Sequence, residues 1–234
     1  MLKLNNVGIL SGMGPLCGAN FLTDYILELN SRGIAQDSDF PEMTLYSVPF
    51  PNSHWTEKGF VYRTKEENLP LIESLHKCMK KFEAHSVQLI AVPCNTIHFL
   101  YDEMKNSTDI PVLSIIDEVK KHISEKNYKR VGIFCSDATT ELNLYKDINP
   151  ILATPKEQEV VTEMIYKVMM GIHTIEDKKR FVQLIENKFK NDNLDSLIMG
   201  CTEIPVLVSQ EDTFVPLIDS TNVLAQALAN HTVG

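Results

Sequence analysis

The chain has 234 residues, 44% hydrophobic and 23% charged, with a formal net charge of −9. Those proportions fit an ordinary globular protein of one domain or two small ones. The acidic balance and the lack of a basic block argue against nucleic acid as a partner, and no apolar run approaches the ~20 residues needed to span a bilayer. Met1-Leu2-Lys3-Leu4-Asn5-Asn6 carries no signal-peptide core, so a cytoplasmic location is expected. Five cysteines spread from Cys17 to Cys201 argue for reduced thiols rather than a disulfide framework. An acidic surface draws in no anion from a distance, so any anion site must be built locally.

Along the chain, apolar runs of strand length alternate with helical periodicity. Val7 to Leu10 reads as a strand ending in Ser11-Gly12-Met13-Gly14-Pro15. A helix from about Leu16 to Asn30 comes next, with Phe21, Tyr25, Ile26 and Leu29 at helical spacing. Met43–Val48 is a second strand, Lys65–His85 a helix, Val87–Val92 a third strand and Ile110–Ile115 a fourth. Strand–helix alternation predicts a parallel α/β sheet. The second half echoes the first in the same order. Val131-Gly132-Ile133-Phe134 matches Val7-Gly8-Ile9-Leu10, the Cys201 segment matches the Cys94 segment, and Phe214–Asp219 matches Ile110–Asp117. Two similar α/β lobes are expected, with shorter loops in the second. The predicted division is residues 1–105 plus 207–234 against 106–206, with the active site in the cleft between them. Two helices are read in the second half. Lys156–Met170 is closed by Gly171, and Thr174 with Asp177 starts a helix to about Lys190.

Two segments carry the chemistry. Gln88–Thr96 and Asp195–Glu203 are both apolar runs that end at a cysteine, followed at once by small hydroxyl or amide residues. Two thiols meeting across one cleft suit an enzyme that removes a proton from one face of a carbon and returns one to the other. Ligands of parallel α/β sheets bind at the carboxyl ends of the strands. Four segments end there: Ser11–Gly14, Cys94–Thr96, Ser136–Thr140 and Cys201–Glu203. Helix starts after them would offer N–H groups to a carboxylate and lower a thiol pKa. Gly12-Met13-Gly14 is not a dinucleotide fingerprint, because Cys17 holds the position of the last glycine.

Singly, Cys94 and Cys201 read as buried cysteines at strand ends, but their matched placement favours function. Cys17, Cys78 and Cys135 have no such match, and Cys78 sits in an apolar helical pattern. Cys94 and His98 are four apart, yet no second ligand pair stands nearby, so no metal site is read. His98 is expected to orient a neighbour or to be a satisfied, partly buried histidine. A Cys–His nucleophile would leave the second cysteine without a role.

Gly12-Met13-Gly14-Pro15, Pro93-Cys94-Asn95-Thr96-x-His98, the Ser136/Thr139 segment and Gly200-Cys201-Thr202-Glu203-Ile204-Pro205 together resemble the aspartate/glutamate racemase family, in order and over nearly the whole chain. The resemblance implies two pseudo-symmetric Rossmann-like lobes, each a mostly parallel sheet flanked by helices, no cofactor, an amino-acid substrate and a homodimer. It makes Cys94 and Cys201 the paired acid and base. It assigns Asn95, Thr96, Thr139 and Thr202 to the α-carboxylate and amino group, with the Met13 loop closing one side.

The sequence departs from the family pattern at two cations. Aspartate-racemising members resemble I-P-D-R where this chain has Phe50-Pro51-Asn52-Ser53, so Ser53 stands at the arginine position. They also carry a lysine where Ile165–Gly171 places Met169. An alcohol and a thioether give a second carboxylate no charge-assisted partner. A substrate with a non-acidic side chain is therefore expected, unless Lys167 or Arg63 compensates. The alternatives are a hydantoin-type racemase, which also uses two thiols, and a non-catalytic amino-acid-binding protein.

Overall fold

The computed structural model describes residues 4–49, 55–56, 59–60 and 68–233. Strand β1 (Val7–Ser11) is buried at every position. It pairs in parallel with β2 (Met43–Ser47) on one side and with β5 (Leu89–Ala91) on the other, and β6 (Val112–Leu113) pairs in parallel beyond β5. A central parallel strand is covered on both faces, which is why β1 is apolar throughout rather than alternating. β2 lies at the sheet edge and is only partly buried.

Helix α1 (Pro15–Ser31) starts with proline in its first turn, where the missing N–H costs no intrahelical bond. Its buried stripe is Cys17, Phe21, Tyr25 and Leu29, four residues apart. The Tyr25 hydroxyl pairs at 2.8 Å with Thr232 Oγ1 of α9 (Ser220–Val233). Burial pushes this phenol up to about 12, so it stays protonated. Helix α2 (Leu69–Ala84) packs Leu71, Ile72, Leu75, Met79 and Phe82 into a core with Leu10 of β1 and Ile90 of β5. The sequence start of this helix, from Lys65, falls partly outside the described residues. A Cβ on Gly8 would come within 2.7 Å of the Phe82 ring, so that glycine lets α2 sit close to β1.

The second sheet repeats the plan. β7 (Val131–Phe134), β8 (Ser196–Met199) and β9 (Leu217–Asp219) are parallel in that order. Ile151 makes a parallel bridge to Gly132, on the segment where β2 would lie in the first sheet. Thus β7, β8 and β9 answer β1, β5 and β6. Helices α6 (Pro155–Met169) and α7 (Ile175–Asn191) begin with capping boxes, Thr154 with Glu157 and Thr174 with Asp177. Phe134, Val161, Met164, Ile165, Phe181 and Ile185 form the core with them. Lys188 is buried, and its ammonium reaches Leu152 O at 2.7 Å, Asp192 at 2.8 Å and Glu157 at 3.1 Å. Three acceptors meet its three donors.

The chain forms two compact units. One comprises Met1–Asn52, Arg63–Glu118 and Thr221–Gly234, the other Ser53–Tyr62 and Val119–Ser220. The strands β3 (Trp55–Thr56) and β4 (Gly59–Phe60) pair antiparallel in the second unit. The divisions fall within α4 (Ile115–Glu125) and at the start of α9, later than residues 105 and 206. The cause is strand pairing: β6 bonds to β5 and stays with the first unit, and β9 bonds to β8 and stays with the second.

Candidate active site

In the first unit, Ile9 lies opposite Ala91, so Gly12–Gly14 and Cys94–Thr96 leave the sheet at the same edge. Gly12 has φ 115°, and a Cβ there would stand 1.9 Å from Val48 O. Only glycine fits that turn. Gly14, at φ 100°, opens α1 with no side-chain cap and no acidic residue in the first turn. This helix end is suited to a carboxylate. Cys94 is half-buried, and its N–H donates to Val92 O at 2.8 Å. Asn95 is buried and begins a 3-10 turn over Thr96–Leu100. His98 is buried, with Nδ1 at 2.7 Å from Cys94 O, while Ile115 N–H donates to Nε2 at 3.2 Å. Both ring nitrogens of this buried histidine therefore have a partner.

In the second unit, Phe134 lies opposite Met199, and Gly200 N–H donates to Phe134 O at 2.8 Å. The Ser136–Thr140 and Cys201–Glu203 segments therefore also leave their sheet together. Ser136 caps the short helix α5 (Asp137–Glu141). Its Oγ accepts from Thr139 N–H at 3.3 Å and lies 3.0 Å from the Thr139 hydroxyl. Cys201 is buried, and its thiol donates to Glu203 Oε2 at 3.0 Å. The Thr202 hydroxyl donates to the same oxygen at 3.3 Å. A buried carboxylate thus gathers the two polar groups that precede it.

The remaining cysteines, Cys17, Cys78 and Cys135, are all buried. Burial raises the Cys78 thiol pKa. Cys135 is held 3.2 Å from the Thr140 hydroxyl, and burial pushes its thiol up to about 12. It stays a thiol at neutral pH.

Helix starts after both cysteines are expected from the sequence, but Cys94 leads only into the 3-10 turn and the six-residue α3 (Tyr101–Asn106). Cys201 leads into the four-residue α8 (Ile204–Leu207). A single turn supplies local N–H groups but little of the summed dipole of a long helix. Only the Gly12–Gly14 loop leads into a long helix, of 17 residues.

Residues 10–228 match the family model described as Asp/Glu/Hydantoin racemase. The chain belongs to that family. It is 26% identical over 229 residues to the broad specificity amino-acid racemase RacX of Bacillus subtilis, covering 94% of this chain and 95% of that protein. Its fold matches an aspartate racemase homologue from Pyrococcus horikoshii with TM-score 0.81 and 24% identity, over 99% of this chain and 100% of that one. The aspartate racemase of Picrophilus torridus matches with TM-score 0.74 and 25% identity, over 97% and 94%. As a member of this racemase family the chain is an enzyme of the isomerase class.

The residues at the missing-cation positions fall differently. Met169 is the last residue of α6 and is 38% exposed. Lys167 is committed to structure: its ammonium lies 2.6 Å from Asp177 and 2.8 Å from Glu163. Its pairing holds Asp177 down to about 2, with Thr174 contributing. Lys167 is thus a poor replacement for the missing lysine. Ser53 and Arg63 lie outside the described residues. Glu203 is the site residue that sequence reasoning left without a role, although its place two residues after Cys201 was visible. Among the described residues no group of three or more His, Cys, Asp or Glu is placed to hold a metal ion, and no helix is long and apolar enough to cross a membrane.

Proposed function

We propose that this protein is a cofactor-independent amino-acid racemase that inverts the α-carbon by proton transfer through Cys94 and Cys201. The observation that carries the proposal is the matched placement of the two thiols. Each lies just past the strand that pairs with the first strand of its unit, β5 beside β1 in one unit and β8 beside β7 in the other. One thiolate takes the α-proton and becomes a thiol, and the opposite thiol gives its proton to the other face and becomes the thiolate. The carbanion between these steps needs charge stabilisation. N–H groups at the start of α1, with Asn95, Thr96, Thr139 and Thr202, are suited to hold the α-carboxylate and amino group. Glu203, hydrogen-bonded to the Cys201 thiol, fits Cys201 as the proton donor of the resting enzyme.

The substrate side chain is proposed to be non-acidic, or the range to be broad. Ser53 and Met169 offer no cation, Lys167 is engaged by Asp177 and Glu163, and a relative matched over nearly its full length is named for broad specificity. A buried second carboxylate without a partner would cost several kcal/mol. The same uncharged positions suit the neutral ring of a hydantoin, which is the second reading. Action in the cytoplasm as a homodimer belongs to the proposal, supported by the family resemblance. The test is α-proton exchange in D₂O over a panel of L- and D-amino acids and hydantoins. Exchange confined to aspartate or glutamate would contradict the substrate assignment.

A further inference from the structure

We infer that His98 is a positioning residue for Cys94, acting as a neutral imidazole that fixes the cysteine's main chain and takes no proton itself. The inference rests on the reading of Cys94 as a reacting thiol. A backbone N–H can only donate, so the 3.2 Å contact from Ile115 N to Nε2 leaves that nitrogen with its lone pair. The ring proton therefore sits on Nδ1, where it donates to Cys94 O at 2.7 Å. Both nitrogens are committed, and neither is left to accept the Cys94 thiol proton. Burial holds the ring's pKa down at about 4, against the Cys94 and Leu113 carbonyls and the Asp117 charge, so the ring is neutral at working pH. The Tyr101 ring stacks on it at 5.7 Å, and the Tyr101 hydroxyl donates to Val112 O at 2.8 Å.

The placement explains the need. The β5–β6 ladder ends at the pair Ala91–Leu113. Beyond it the two chains diverge, one to Cys94 and the other to Ile115 at the start of α4. The imidazole spans the gap as one more rung between them. The second unit has a side-chain rung at the corresponding junction: Ser220, first residue of α9, donates from Oγ to Met199 O at the end of β8 at 2.8 Å. Two independent solutions at the same point argue that a strand end carrying a reactive cysteine must be tied to its neighbour. Misplacing a reacting sulfur by about 1 Å costs on the order of 100-fold in rate.

The experiment compares His98→Asn, which keeps a donor at the Nδ1 position, with His98→Gln, which reaches only the Nε2 position. Cys94→Ala runs alongside. Thermal melts of all three check folding, and α-proton exchange gives kcat, KM and the pH profile. The expected result is a kcat loss on the order of 100-fold in His98→Gln with KM little changed, and a loss at least about tenfold smaller in His98→Asn. The acid limb of the profile stays where it is in both. On the unsubstituted protein, ¹⁵N NMR should show the ring protonated on Nδ1 alone from pH 5 to 9, a readout that needs no activity. Protonation on Nε2, or a His98 titration that tracks the acid limb, would overturn the inference. So would unchanged kcat in both His98 variants when Cys94→Ala is inactive. Full exchange by Cys94→Ala would instead overturn the parent reading of the thiol, and this inference with it.

Discussion

Cys201 and Glu203 are joined side chain to side chain, thiol to carboxylate at 3.0 Å, and both are buried. A carboxylate beside a thiol stabilises the protonated sulfur in two ways. It accepts the hydrogen bond, and its charge disfavours the thiolate. Replacing Glu203 with Gln keeps the shape and removes the charge. Cys201 should then form the thiolate at lower pH and be alkylated faster, tracked peptide by peptide with iodoacetamide and mass spectrometry. Racemisation should fall by about 100-fold, the scale of a lost acid–base partner. Because enantiomers have equal energy, kcat/KM must fall equally in both directions. Unchanged alkylation of Cys201 would show that the carboxylate does not control the sulfur.

Met169 is the position where a cation is expected to change the substrate. Met169→Lys places an ammonium on the last residue of α6, where a positive charge also suits the helix end. The partly exposed site should tolerate it, with stability changed by less than about 0.5 kcal/mol. Exchange on aspartate should rise relative to neutral amino acids, and a competition assay with both substrates in one tube measures the ratio.

Gly12→Ala tests the loop that opens α1. Its φ of 115° strains any side chain, and the 1.9 Å approach to Val48 O is a backbone contact that cannot swing away. The variant should lose at least about 2 kcal/mol in urea unfolding, more than a surface substitution costs. Gly33→Ala is the comparison. It also has positive φ, but no atom lies within 4 Å of its Cβ position, so it carries the strain without the clash.

Acid should weaken the first unit through His98. Its folded pKa is lowered to about 4 against about 6.5 unfolded, so the unfolded chain binds the extra proton between those values. Stability from this group is complete above pH 6.5 and declines as pH falls toward 4, by about 3 kcal/mol in all. His98→Asn should flatten that stretch of a stability–pH curve measured by denaturant titration. Asp177, held down to about 2, adds a later loss as pH falls below about 4.

The elements long enough to show a period were legible in the sequence. The stripe of Cys17, Phe21, Tyr25 and Leu29 marks α1, and Thr174 with Asp177 marks the start of α7. The ordered echo of the two halves appears as two parallel sheets of the same order. Short pieces were not legible. The turn after Cys94 and the four residues of α8 hold too few residues for periodicity to separate a long helix from one turn. Partners set by tertiary contact were hidden as well. Lys167 meets Asp177 only because α6 turns back into α7, and the Nε2 partner of His98 lies 17 residues away, on α4. Glu203 stood in plain view, but whether a side chain reaches back two residues depends on loop dihedrals that the sequence leaves open.

The most direct measurement is loss of the α-proton signal in D₂O, monitored by proton NMR for the reduced enzyme and for the single variants Cys94→Ser and Cys201→Ser. Two-thiol chemistry predicts exchange and inversion of neutral amino acids by the unsubstituted enzyme, and loss of racemisation in both variants. Full racemisation by either variant would contradict it.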